Sequence, residues 1–211
     1  MSQVLVVHPT HPQARSIRQA ADVVRRGGVI VYPTDSCYAL GCHLGDKDAA
    51  LAMRRIRGVD ERHHFTIVCR DLSEIAIFAK VDNSQYRLLK AATPGAYTFI
   101  LEASREVPRR LAHPRRRSIG LRVPDHVVAR ALLDELGEPL LSTTLILPGV
   151  EEPLNDPDDI RERLGNAVEL ILDGGACGIV PTSVIDMTGP TPTVLRSGAG
   201  DLARLGLAMP V

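Results

Sequence analysis

The chain has no tryptophan, and its three phenylalanines and four tyrosines leave aromatic residues at 3%. Aliphatic side chains must therefore pack the core. No run of 18 apolar residues occurs, and the segment MSQVLVVHPTHP lacks the basic-then-apolar order of a secretory leader. A soluble cytoplasmic protein with no membrane partner is expected. The cysteines, Cys37, Cys42, Cys69 and Cys177, form no CxxC pair and no disulfide-like framework. They read as buried, inert thiols. Cys42 beside His43 supplies two potential ligands where zinc sites need about four, so no metal site is expected. Cys37 would be a nucleophile only with a basic neighbour to lower its pKa, and the sequence identifies none. Neither GxxxxGK[ST] nor a GxGxxG after a strand is present, which removes the standard phosphate loops. No histidine is placed for a Ser-His-Asp arrangement, and His63-His64 read as solvent-facing.

What is present is an ordinary globular composition: 45% hydrophobic and 24% charged residues, with zero formal net charge over 211 residues. One domain over residues 1–211 is expected. Its most informative stretch is Gly27–Gly41, GGVIVYPTDSCYALG. Val29 to Tyr32 are apolar at every position, the mark of a strand buried on both faces. Pro33 ends that strand because it cannot donate to a sheet ladder. Thr34, Asp35 and Ser36 then sit just past a strand end, where open α/β sheets bind ligands. The same residue types also build plain turns, so turn and binding loop both stand.

Helical and strand-like patterns alternate with no linker. Val4–Val7 reads as a strand and Gln13–Arg26 as a helix, ended by Gly27-Gly28. Asp46 or Asp48 caps a helix running to about Arg57. Phe65–Cys69 is strand-like, Ser73–Phe78 and Ser84–Ala92 are helical, and Tyr97–Glu102 and Ser118–Val123 are strands. A helix from His126 to Leu136 precedes the apolar strand Leu140–Leu145. Asp156-Pro157 opens a helix to Leu164, and Val168–Arg196 holds three strands. The expectation is an α/β domain with a mixed sheet.

Charge is unevenly spread. Between Arg105 and Arg122 seven arginines stand against one acid, Glu106, so the window carries +6 and the remainder −6. Arg109, Arg110, Arg115, Arg116 and Arg117 form the exposed part of this run. It is either a solvated basic loop or a surface for a phosphate-rich partner such as RNA. Strand ends carry Thr34 and Ser36, Arg122, Ser142 to Thr144, Thr182 and Ser183, and Arg196. Hydroxyls and guanidinium groups converging on one hollow would suit an anionic, oxygen-rich ligand such as a nucleotide.

Taken together these residues resemble the YrdC/YciO family of threonylcarbamoyl-adenylate synthases and their relatives. The family's PTxTxYGLG appears as Pro33–Gly41, its PGPxT as Pro94–Thr98 and its RxPxH as Arg122–His126. Its ILDGG is Ile171–Gly175, its STVID is Thr182–Asp186, and its LRPG is Leu195–Gly198. The phrases YPTDSCYALGC, TPGAYTFIL and LSTTLILPG look most like the YciO branch. The resemblance implies a twisted mixed parallel and antiparallel sheet with flanking helices around a deep basic cavity. It implies the reaction of ATP, L-threonine and bicarbonate to threonylcarbamoyl-AMP and pyrophosphate, with Mg²⁺ accompanying the nucleotide, in the modification of tRNA. Thr34 and Arg122 match positions that hold threonine. Ser142 and Arg196 match positions near the nucleotide, and Ser183 lies in the matching wall. Ser36, Tyr38, Arg57, Thr144 and Thr182 complete the candidate binding set, with Arg57 and Arg122 as the groups that stabilise developing charge.

Two motifs depart from the family. KxR aligns with Arg57-Gly58-Val59, which lacks the second basic residue, and SxN aligns with Ser142-Thr143-Thr144, which has a hydroxyl for the amide. Each lost charge-assisted contact is worth about 1.5–3 kcal/mol, or one to two orders of magnitude in rate. Two functions stay open: the synthase reaction, or binding of tRNA or double-stranded RNA by the basic cavity without that chemistry.

Overall fold

The helical stripe of Ile17, Ala20, Ala21 and Val24 builds α1 (Ala14–Arg25), whose buried face is those four residues. It packs against α5 (Val127–Leu136), which buries Val128, Ala129, Leu132, Leu133 and Leu136. Both helices cover one face of a sheet, closing on Ile30, Tyr32, Leu140, Leu170 and Leu172. The other face, carrying Val29, Val31, Leu40 and Ile67, is covered by four helices. These are α2 (Lys47–Arg57), α3 (Leu72–Phe78), α4 (Asn83–Ala92) and α6 (Pro157–Leu164). The alternation of Val29 and Val31 with Ile30 and Tyr32 between the two cores is that of a strand buried on both faces.

The computed structural model describes residues 2–209. Its strands are β1 (Gln3–Val6), β2 (Ile30–Tyr32), β3 (Ala39–His43), β4 (Thr66–Val68), β5 (Tyr97–Glu102), β6 (Ser118–Arg122), β7 (Leu140–Thr144), β8 (Leu170–Asp173), β9 (Ser183–Asp186) and β10 (Thr193–Arg196). They form one mixed sheet in the order β1-β8-β2-β3-β7-β4-β6-β5-β9-β10. Parallel pairs such as β4 with β6 occur in it beside antiparallel ones such as β3 with β7. This is the expected fold class.

Capping follows local chemistry. Asp46, not Asp48, caps α2, its carboxylate accepting the Ala49 N–H at 2.9 Å. Asp156 caps α6 through the Asp158 N–H at 2.8 Å, with Pro157 in the first turn. Strand β3 is the element that the residue pattern did not reveal. Ala39, Gly41 and the polar end at His43 have weak strand preference, yet β3 pairs with both β2 and β7. Gly41 is needed there: a Cβ would lie 2.9 Å from the Tyr32 ring. Residues 33–38 are consequently a hairpin connection between β2 and β3, and the polar triplet occupies its bend.

Candidate active site

The hairpin bend is organised by Thr34. Its hydroxyl donates to the Cys37 carbonyl at 2.7 Å and accepts the N–H groups of Ser36 and Cys37 at 3.2 and 3.3 Å. The triplet is thus a turn, and the turn is also a wall. Ser36, Cys37 and Tyr38 line a cavity of about 330 Å³ over the sheet. Strands β4, β6, β7 and β9 supply further walls through Thr66, Ser118, Ser142 and Val184. Four arginines line this space, Arg57, Arg116, Arg122 and Arg196, and no carboxylate does.

Each arginine is held differently. Arg122, at the end of β6, is buried and ion-paired to the Asp35 carboxylate, with the Thr34 hydroxyl 3.4 Å from Nη2. Its Nε and the second Asp35 oxygen are buried without a partner. Arg57, at the last turn of α2, donates to the Ile146 carbonyl at 2.7 Å, and its Nε is likewise buried and unpartnered. Arg196 donates through Nε to the Thr182 carbonyl at 2.9 Å and through Nη2 to the Thr182 hydroxyl at 3.2 Å. That hydroxyl also meets Thr98 Oγ1 at 2.8 Å. Burial lowers the pKa of both Arg57 and Arg196, because a desolvated cation favours losing its charge. Arg116 lies 3.6 Å from Asp186 at the rim.

The hydroxyls divide into committed and free. Ser142 Oγ donates to the Leu40 carbonyl at 2.8 Å and meets the Tyr32 hydroxyl at 2.8 Å, so its hydrogen is spent inside the sheet. Tyr38 donates to the Gly175 carbonyl at 2.7 Å and accepts the Gly174 N–H at 3.2 Å. Burial raises its pKa, so it stays a neutral phenol. Ser183 is fully buried and does not line the cavity. Its hydroxyl donates to the Gly200 carbonyl at 2.7 Å and accepts the Gly198 N–H at 2.9 Å. Thr34 also stands behind the wall. Thr66, Ser118 and Thr144 line the cavity with hydroxyls that bond to no other described residue.

His63 is a residue the sequence placed in solvent, and the structure corrects this. Its Nε2 lies 3.1 Å from the Thr143 hydroxyl in the cavity wall. Burial, reinforced by Arg57 and Arg54, pushes its pKa down to about 4, so the ring is neutral at physiological pH. His64 and His113, also in the wall, have ring centroids 4.8 Å apart. Thr66, Thr98 and Ser118 were missed as well. Their only signal was a hydroxyl within an otherwise apolar strand. The Cys37 thiol is raised to about 11, mainly by burial, which leaves it protonated and inert. The arginine run is divided: Arg116 reaches the cavity, Arg109 and Arg110 line a neighbouring hollow, and Arg115 and Arg117 line neither.

The protein-family model Sua5/YciO/YrdC, described as telomere recombination, matches residues 22–198. The chain belongs to this family. It is 54% identical over 202 residues to the uncharacterised protein YciO of Escherichia coli K12, spanning 96% of this chain and 98% of that protein. The crystal structure of E. coli YciO superposes with a TM-score of 0.93 at 53% identity, covering 97% of this chain and all of the other. The crystal structure of P. abyssi Sua5 in complex with L-threonine gives a TM-score of 0.89 at 25% identity, over 97% of this chain and 60% of that one. The threonylcarbamoyl-AMP synthase of Halorhodospira halophila is 29% identical over 172 residues, covering 81% of this chain and 89% of that enzyme. Among the described residues no helix is long and apolar enough to cross a membrane.

Proposed function

We propose that the cavity binds a nucleotide and activates a threonine-derived carbamate on it, as in the family's threonylcarbamoyl-AMP synthases. The observation that carries this reading is a hollow over the sheet with four guanidinium groups, free hydroxyls and no carboxylate in its wall. Such a lining stabilises phosphate and carboxylate oxygens.

The chemistry has two steps. The threonine amine attacks bicarbonate carbon and water leaves, giving a carbamate. A carbamate oxygen then attacks the α-phosphorus, and the bond to the pyrophosphate oxygen breaks. Arg122, its orientation set by Asp35 and Thr34, is the group for the threonine carboxylate. Arg57 and Arg196 face charge that accumulates on the α-phosphoryl oxygens and leaving group. Because protein bonds already fix all three, little reorganisation accompanies the reaction. Thr144 supplies a hydroxyl where the family has an amide, and Val59 offers nothing where it has a second base. Slow turnover is expected, by about one to two orders of magnitude per missing contact.

No group of three His, Cys, Asp or Glu side chains among the described residues is arranged to hold a metal. The residues therefore do not form a resident Mg²⁺ site. Magnesium fits here only as the partner of nucleotide phosphates, which supply most of its oxygen ligands in such complexes.

The decisive assay is pyrophosphate release from ATP by purified protein. Release should require both L-threonine and bicarbonate and fall in Arg57→Ala and Arg196→Ala. No release above a boiled control, with no binding of AMP, overturns the reading. A second reading rests on the exposure of Arg109, Arg115 and Arg117: association with tRNA or double-stranded RNA without synthase chemistry. It requires binding that weakens steeply with salt and with neutralisation of Arg115 to Arg117. Salt-insensitive binding, or none, removes it.

A further inference from the structure

Beside this cavity lies a larger hollow of about 750 Å³, walled by α2, the turn around Glu61 and the loop Arg109–Pro114. Five cations line it, Lys47, Arg54, Arg62, Arg109 and Arg110, against a single carboxylate, Glu61. The two spaces adjoin. His64 and His113 belong to both walls, and their rings stand 4.8 Å apart between them.

The inner cavity, at about 330 Å³, is near the floor of the range for small-molecule sites, about 300–1,000 Å³. A nucleoside triphosphate together with an amino acid needs more room than that. The adjoining space is where the excess would go, and its charge selects what can enter. We propose that the outer hollow is an anion site for a chain of linked phosphates. It would take the β- and γ-phosphates of a nucleotide whose nucleoside and α-phosphate lie inside, and pyrophosphate leaving by the same route. This assignment rests on the nucleotide reading of the inner cavity.

The cations differ in what they have to spare. Arg54 is occupied, donating to the carbonyls of Asp60 and His63 at 2.5 and 2.8 Å with its guanidinium carbon 4.6 Å from the Phe65 ring centroid. Arg110 donates to the Leu44 carbonyl at 3.0 Å. These two build the wall. Lys47 and Arg109 are exposed and make no hydrogen bond or ion pair with any other described residue. They are the charges left for a ligand. His113 adds a further donor: its Nδ1 accepts the N–H groups of Arg115 and Arg116 at 3.2 and 3.0 Å, which leaves Nε2 carrying the proton.

The test is calorimetric titration of the full chain with sodium tripolyphosphate and, separately, with AMP. Wild type is compared with the Lys47→Ala/Arg109→Ala double variant, whose unfolding midpoint is checked. Tripolyphosphate affinity should fall about tenfold or more in the variant, and should fall in wild type between about 50 and 200 mM salt. AMP affinity should not change. Tripolyphosphate that fails to bind, or that binds the variant equally well, overturns the assignment while AMP binding upholds the inner site. The same is true if the double variant weakens only duplex RNA. Tripolyphosphate binding without AMP binding would instead retain the outer anion site and defeat the nucleotide reading. Should the double variant unfold, Arg109→Glu alone serves, with the same expected direction.

Discussion

Replacing Asp35 with asparagine removes the charge that balances Arg122 while keeping nearly the same shape. The two side chains are 13% and 10% exposed, and the carboxylate is the guanidinium's only acidic partner among the described residues. Breaking a buried pair from one side typically costs about 3–5 kcal/mol, because the remaining charge is left desolvated. Asparagine keeps one hydrogen-bond acceptor, so the lower end, about 3 kcal/mol, is expected. In a domain of this size that lowers the melting midpoint by about 6–12 °C. Scanning calorimetry of wild type, Asp35→Asn, Arg122→Met and the double variant gives a coupling energy for the pair. The freed guanidinium should also gain from an anion. AMP should raise the midpoint of Asp35→Asn more than that of wild type, since the ligand supplies the missing negative charge. A midpoint shift below about 2 °C, with additive single variants, would refute the clamp and with it the fixed orientation of Arg122.

Ser183→Ala leaves the Gly200 carbonyl and the Gly198 N–H short of a partner in a fully buried place. It should cost about 1–3 kcal/mol of stability and leave AMP affinity unchanged in titration, because the hydroxyl faces away from the cavity. Thr144→Asn returns the family's amide to a free position in the wall and should strengthen AMP binding or raise pyrophosphate release by about tenfold. His63 has a folded pKa of about 4 against an ordinary 6.5. Between those values the unfolded chain binds more protons, so acidification through this window destabilises the fold. His63→Gln should flatten the fall in urea midpoint from pH 6.5 towards pH 4, and an unchanged slope would show that His63 is not buried as described.

The helices were legible because their apolar stripes and caps are local facts. Ile17, Ala20 and Val24 recur at helical spacing whatever surrounds them, and Asp156-Pro157 caps a helix by its own chemistry. Most strands were legible as apolar runs. Strand β3 was not, because Ala39, Gly41 and Cys42 gain their stability from neighbours: Gly41 is a strand residue only because the Tyr32 ring lies over it. The cavity lining was legible in part, without Thr34 and Ser183, and its bonding was not. Arg57, Arg122, Thr144, Thr182 and Arg196 do share one cavity wall. Ser142 lies there too, yet Leu40 and Tyr32 consume its hydroxyl. His63 was misplaced because half-burial of a ring next to Thr143, distant in sequence, has no local pattern.

Charge shows the same difference between counting and placement. The window from Arg105 to Arg122 carries +6 in sequence, but most of that charge never reaches the inner cavity. Of the arginines that do line it, Arg122 is neutralised by Asp35 and Arg116 lies near Asp186. The uncompensated cations are Arg57 and Arg196, which the sequence places far outside the window. Arg57 is half-buried and Arg196 exposed, and both are held by carbonyls rather than carboxylates, so no acid among the described residues cancels either charge. In the proposed reaction the charge left uncancelled by acids therefore comes from the ends of α2 and β10, and not from the most basic stretch of the chain.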